Sequence, residues 1–338
     1  MQPATETETT HAPAPDWRAK PVALIYNPAS GQQPGRRAAL IAQIVELFRS
    51  AGVEITAIPT HAANTAGPLA LEAIQQGCDT VIACGGDGTV HEVLQSMAGT
   101  QAALGVIPLG TANALAADLG LPRNPVRAAR KLLDSAPERI SIGRVTFLDR
   151  DGAPGWRYFV VAAGIGADGH FFANVSSRLK QHLGYVHYLI EALRLWAIHR
   201  FPMFRAVFTE TSQPAPTTAE VSQVLAVRIT NFGGLVRRLV PKASIRKPTL
   251  HVIAFKTRSR MHYLRFMAAV WFGRHKYRTP IELVNCTRVE CSALDGVPEP
   301  VYVEADGEFL GTLPVTIEIV PDSLTLLIPK HPAAIPTR

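Results

Sequence analysis

Cysteine is scarce in this chain of 338 residues, and none of its four copies, Cys78, Cys84, Cys286 and Cys291, stands in a CxxC pair. Buried free thiols in a reducing cytosol are the expectation. Cys286 and Cys291 lie five apart in a β-like run, so a regular strand would point them to opposite faces. Long apolar runs are missing too. The apolar stretch "MHYLRFMAAVWF" is broken by charge and falls short of the roughly 20 residues that a membrane-crossing helix needs. The start, "MQPATETETTHAPAPDW", has no apolar core of a signal peptide; residues 1–19 read as a disordered tail, and a short tail is expected again at 331–338. No internal repeat stands out.

One region lacks acid altogether. Between Val221 and Ile281 there are thirteen Lys or Arg and no Asp or Glu, which leaves 21 basic against 27 acidic residues elsewhere. The net charge of +7 is therefore local. No nucleic-acid motif accompanies it, so no nucleic-acid partner is expected.

What is present is a change of rhythm. Residues 21 to 134 alternate short apolar runs ("PVALIYNP", "VEITAIPT", "DTVIAC", "ALGVIPLG") with helical patterns near 36–50, 67–76, 89–98, 113–119 and 125–134. That order predicts an α/β, doubly wound, mostly parallel sheet. After Pro137 longer runs with period-2 alternation follow, from "RISIGRVTF" to "VTIEIVPDSLTLLIP", with helical insertions at roughly 168–199 and 260–273 and a surface loop at "TSQPAPTTAE". They predict a mainly antiparallel β-sandwich domain. The expected division is 20–136 for a nucleotide-binding domain and 137–330 for a β-rich substrate domain.

Three turns follow strands of the first part. "GGDGT" lies between "DTVIAC" and a helix, at the carboxyl edge of the sheet, where glycines let backbone N–H groups approach a phosphate. Asp87 is the odd residue there, because a carboxylate beside phosphates needs Mg²⁺ or a proton. "IYNPASG" and "GVIPLGTANALAADLGLP" add Asn, Ser and Thr donors on the same edge.

In order and spacing these blocks resemble the diacylglycerol kinase catalytic domain family, which includes bacterial lipid kinases and sphingosine kinases. The resemblance implies a nucleotide-binding domain, a β-rich domain and an active site in the cleft between them. It implies ATP and Mg²⁺, with nucleotide contacts from Asn27, Pro28, Ala29, Ser30, Gly31, Thr60, Gly85, Gly86, Asp87, Gly88, Thr89, Glu92, Thr111 and Asn113. His91, also in this set, stands where many members have Asn, and a solvated or capping imidazole is expected. "VEADGEFLG" resembles the family's "DGE" strand and turn, which makes Glu308 the candidate base for a lipid hydroxyl, with Asp87 the second catalytic candidate and a possible holder of the nucleotide's Mg²⁺. Asp168 in "GIGADG" matches an element that part of the family places near the lipid headgroup or metal; a helix N-cap is the alternative. Several bacterial members bind a structural Mg²⁺ at an acidic turn where this chain has "LVPKASIRKPTL", so that site is expected to be absent.

The expected activity is transfer of the ATP γ-phosphoryl group to diacylglycerol, a sphingoid base or a related lipid alcohol, at the inner face of the membrane from the cytoplasm. The acid-free segment would meet the anionic surface, with Arg258, His262 and Arg265 on one face of a helix and Leu264, Met267 and Trp271 on the other. A NAD-kinase-like enzyme, which shares "GGDGT", and a non-catalytic lipid-binding protein on the same fold are the alternatives.

Overall fold

The computed structural model describes residues 16–28, 36–149, 151–174, 194, 197–233, 239–274, 276–296 and 299–330. Its first part alternates β1 Val22–Tyr26, α1 Arg37–Ser50, β2 Ile55–Pro59, α2 Ala66–Gln75, β3 Thr80–Gly85, α3 Asp87–Met97, β4 Ala103–Pro108, α4 Ala114–Asp118 and α5 Pro125–Leu132. Every residue of β3 and β4 is buried, as strands covered on both faces must be. β1 pairs in parallel with β2 and β3, and β3 with β4. α1 packs with α5 and α2 with α3, the two helix layers of a doubly wound sheet.

The second part runs β5 Ser135–Leu148, β6 Pro154–Phe159, β7 Ala162–Ile165, α6 Ala167–Asn174, β8 Phe204–Glu210, β9 Thr217–Val221, β10 Gln223–Val227, β11 Leu250–Phe255, α7 Arg260–Trp271, β12 Ile281–Ala293, β13 Tyr302–Ala305 and β14 Glu308–Pro329. Its pairings are antiparallel except where β14 returns to the first part: Thr325 and Leu326 pair in parallel with Ala103 and Leu104 of β4. Leu324, Leu326, Leu327 and Ile328 join the α/β core. One strand thus opens at the candidate base Glu308 and ends inside the nucleotide-side core, so the expected division at 137 has β14 packed on both sides of it.

Several expectations are corrected. Trp17 is not in a loose tail: it is buried, meets Phe48 edge to face and donates Nε1–H to the Ser135 carbonyl at 3.1 Å. The last four residues of "TSQPAPTTAE" are not loop but the start of β9, paired with β8. Cys286 and Cys291 face one core rather than opposite faces. The register of β12 shifts between Cys286 and Arg288, and that irregularity reverses the alternation. Burial pushes both thiols up. Arg258 precedes α7 instead of lying on it. Most of the insertion expected at 168–199 lies outside the described residues.

In "LVPKASIRKPTL" the backbone turns around a cation supplied by the chain itself. Arg228, fully buried, donates to the carbonyls of Lys247, Thr249, Ser141 and Ile245 at 2.6, 2.8, 2.6 and 2.9 Å. Four carbonyl dipoles converge on one guanidinium.

Candidate active site

The turns after β3 and β4 touch at their glycines. A Cβ at Gly110 would come within 2.6 Å of the Gly86 Cα, so the second turn tolerates no side chain at the contact, whereas one at Gly86 would stand 3.4 Å from the Gly110 Cα. Asn113, at φ 53°, closes the second turn: its Oδ1 accepts the Gly110 N–H at 2.9 Å and its Nδ2 donates to the Gly110 carbonyl at 2.7 Å. Asp87 then fastens the two turns together, because its carboxylate accepts the N–H groups of Asn113 and Ala114 at 2.9 and 2.7 Å. Burial pushes the Asp87 carboxyl up, against the pull of those N–H bonds, with the Asp306 charge adding to the rise.

Gly88 has open space where a Cβ would stand, at the first turn of α3, whose N–H groups lack intrahelical acceptors. Thr111 is exposed on the same edge. Thr89 is buried beneath Gly85, and Thr60 is buried at the end of β2, its N–H held by the Tyr26 carbonyl at 2.9 Å. Glu92 turns away to cap α2, accepting from the Asn64 and Ala66 N–H groups at 3.0 and 2.9 Å. Asn27 and Pro28 lead into the first turn, and their carbonyls accept from buried Arg37 at 3.2 and 3.3 Å. Ala29, Ser30 and Gly31 lie outside the described residues.

From the other side comes the β13–β14 hairpin. Asp306 and Gly307 have φ of 48° and 84°, the paired positive values of a tight hairpin turn that Asp-Gly favours. Asp306 is locked: its carboxylate accepts the N–H groups of Val160, Val161 and Ala162 at 3.0, 2.9 and 3.0 Å. Glu308, next on the hairpin, keeps a side chain 42% exposed. Between them stands His91, one turn into α3. It is 2% exposed, with Nδ1 3.5 Å from Asp306 Oδ2 and Nε2 3.5 Å from Glu308 Oε2. The expectation of a solvated or capping imidazole is wrong, because α3 turns this position inward onto the hairpin.

Asp168 is apart from this cluster. It lies within the first turn of α6 rather than capping it, half-buried, and accepts from Gln223 Nε2 at 2.6 Å. Burial pushes it up to about 6, against the Gln223 hydrogen bond.

Four residues escaped the motif reading. Arg37 holds the first turn, and Gln95 grips the Tyr158 backbone at both N–H and carbonyl, each at 2.9 Å. Asp118 accepts from Thr230 and Asn231 N–H at 2.9 Å each and ties α4 to the β-rich half. Arg228 is the fourth. Arg228 and Asp118 were detectable as lone charges within apolar runs, "VLAVRITNF" and "ALAADLG"; Arg37 and Gln95 sit at ordinary helix positions and carry no such mark.

The diacylglycerol kinase catalytic domain model matches residues 21–145, and the YegS C-terminal NAD kinase beta sandwich-like domain matches 159–328. The chain is 28% identical over 313 residues to a diacylglycerol kinase of Bacillus subtilis, covering 92% of this chain and 97% of that one. It is 31% identical over 316 residues to a diacylglycerol kinase of Mycobacterium tuberculosis, covering 92% and 96%. The crystal structure of a diacylglycerol kinase from Bacillus anthracis shares the fold, with a TM-score of 0.67 at 20% identity over 93% of this chain and 98% of that one. Motif order, the glycine-lined sheet edge and these matches agree: the chain belongs to the diacylglycerol kinase family and is a lipid kinase.

Proposed function

We propose that this kinase transfers the γ-phosphoryl group of ATP to a hydroxyl of diacylglycerol or a closely related lipid alcohol at an anionic membrane surface. The observation that carries this reading is the meeting of the β13–β14 hairpin with the first turns of α3: a half-exposed carboxylate, Glu308, stands beside the glycine turns that suit a nucleotide. Gly86 and Gly88 keep backbone N–H groups bare for phosphates, with Asn27, Thr60, Gly110, Thr111 and Asn113 around them. Glu308 takes the hydroxyl proton as the oxygen attacks phosphorus in line.

The donor set suits Mg²⁺ carried by the nucleotide better than a protein-built cage. Among the described residues no three His, Cys, Asp or Glu side chains gather as a metal site, whereas Mg²⁺ beside phosphates needs only one or two carboxylates. Asp87 would hold it: burial raises this carboxyl, and a cation alongside would favour its charged form. Bound there, Mg²⁺ would offset charge developing on the transferring phosphoryl oxygens. Asp87's backbone bonds keep the two turns in register meanwhile, and Asp168 supports the lipid side from within.

Membrane access is assigned to α7. Tyr263, Phe266 and Val270 pack inward, while Met261, Leu264, Met267, Trp271 and Phe272 stand exposed, the last two at 62% and 72%. Exposed Arg258, Arg260, Arg265 and Arg274 flank them, a pattern of apolar insertion with cations at headgroup level. No described helix is long and apolar enough to cross a membrane.

The test is transfer from γ-labelled ATP to a panel of diacylglycerol, sphingoid base, NAD and sugar acceptors. Label on diacylglycerol in anionic mixed micelles is the expected outcome. Label on NAD alone would favour the NAD-kinase-like alternative, and none on any acceptor the non-catalytic one.

A further inference from the structure

His91 is a buried imidazole with a carboxylate at each ring nitrogen, and the two carboxylates are unlike. Asp306 is 6% exposed and fixed by three backbone N–H groups, so it serves only as an acceptor. Glu308 keeps a side chain 42% exposed and borders a cavity of about 260 Å³ that Gln95, Trp156 and Arg157 also line.

Gln95 settles the tautomer. Its Oε1 accepts the Tyr158 N–H and its Nε2 donates to the Tyr158 carbonyl, so the amide cannot be turned over. The remaining amide hydrogen faces His91, with Gln95 Nε2 3.3 Å from the ring Nε2 and 3.4 Å from the His91 carbonyl. An amide N–H can only donate, so a neutral ring that accepts it presents a lone pair at Nε2 and carries its proton on Nδ1, toward Asp306.

We propose that His91 is a positioning residue that completes a proton relay, Asp306 to His91 to Glu308, and draws the proton of the acceptor hydroxyl off Glu308 once phosphoryl transfer begins. This rests on the reading of Glu308 as base. In the step, the acceptor O–H bond breaks and its proton passes to the Glu308 carboxylate. The oxygen forms a bond to the γ-phosphorus of the nucleoside triphosphate, and the bond from that phosphorus to the bridging oxygen breaks, its electron pair leaving with the diphosphate. Glu308 then passes the proton to Nε2, and the imidazolium lies between two carboxylates. The 3.5 Å gap is typical of relays that tighten when substrate is bound.

The charge environment favours that imidazolium. Burial opposes it, but the hydrogen bond to Asp306 and the charges of Asp306 and Glu308 outweigh burial and raise His91 above 6.5. The charged groups that face it are Asp306 on the hairpin, Glu308 on β14 and Arg157 on β6, which works against the other two. Asp87, at the start of its own helix, acts on Asp306.

Only neutral His91 accepts a proton, so kcat of the wild-type enzyme rises with pH through a titration above 6.5. His91→Asn should remove that rise and lower the plateau by about 10²-fold with ATP KM unchanged, the low end for proton-transfer groups. A His91→Asn enzyme that keeps the wild-type plateau and the same acid limb overturns the relay. If Glu308→Gln loses activity while His91→Asn does not, the relay alone fails; if Glu308→Gln loses nothing, the base reading fails with it. A measurement independent of turnover, NMR titration of the His91 ring, should give a value above 6.5 in the wild-type protein and a lower one in Glu308→Gln. A wild-type ring that titrates below 6.5, or one indifferent to Glu308, overturns the proposal.

Discussion

The nucleotide-side sheet edge and the β-rich half hold polar groups in place by opposite means. On the edge the parts are local: Asn113 closes a turn over Gly110 three positions away, and glycine packs on glycine. In the β-rich half single charges grip distant backbone. Asp306 binds the N–H of Val160, 146 positions earlier, and Arg228 reaches the Ser141 carbonyl across 87. A local turn is built by its own residues and survives as a motif, whereas a long-range grip depends on fold closure and on one side chain. The first kind should fail by losing function and the second by losing stability.

The largest stability effect should come from Arg228→Met. It leaves buried carbonyls without donors, each costing about 1–3 kcal/mol, so a loss of about 3–5 kcal/mol is expected in urea unfolding. A change below about 1 kcal/mol would show that the turn at 240–249 does not depend on its cation, and the contrast between the halves would break there.

Asp168 gives the next effect, with a sign opposite to that of a paired carboxylate. Its folded value, about 6, lies above the ordinary 3.8, so the folded state holds the proton more tightly than the unfolded chain. Its contribution is therefore fully present below 3.8 and is lost as pH rises through 6. The displacement corresponds to about 3 kcal/mol. Asp168→Asn should be more stable than wild type at pH 8 by up to roughly that amount, with the gap closing as pH falls through this window. A gap that does not change with pH would sink the assignment.

Smaller effects are expected at the surface. Charge reversal of Arg258, Arg260 and Arg265 should weaken sedimentation with anionic vesicles by about 1 kcal/mol per residue, more at 0.1 M than at 1 M salt, where the Debye length falls from about 10 to 3 Å. Turnover of a short-chain soluble substrate should be unchanged. Salt-independent binding, or equal loss on both substrates, would remove α7 from membrane docking.

The same contrast explains what the sequence could disclose. Gly86, Asp87, Gly110 and Asn113 were legible because their partners are near in the chain or in equivalent turns on one sheet edge. The alternation of apolar runs and helices likewise gave the doubly wound sheet, since parallel strands buried on both faces leave continuous apolar stretches. The inward turn of His91 was not legible: it requires the β13–β14 hairpin, more than 200 positions later, to close over α3. Trp17 and the two cysteines failed for related reasons. A lone aromatic in a polar stretch reveals nothing of Phe48 and Ser135, and a strand irregularity has no mark in apolar periodicity.

The measurement that bears most directly on the central claim is steady-state phosphorylation of diacylglycerol in mixed micelles by Glu308→Gln. Loss of the base should lower kcat by about 10²- to 10⁴-fold and leave the ATP KM near its wild-type value, because the carboxylate acts in the transition state and not in nucleotide binding. A wild-type kcat, or a change confined to the ATP KM, would contradict the assignment of Glu308 as the base.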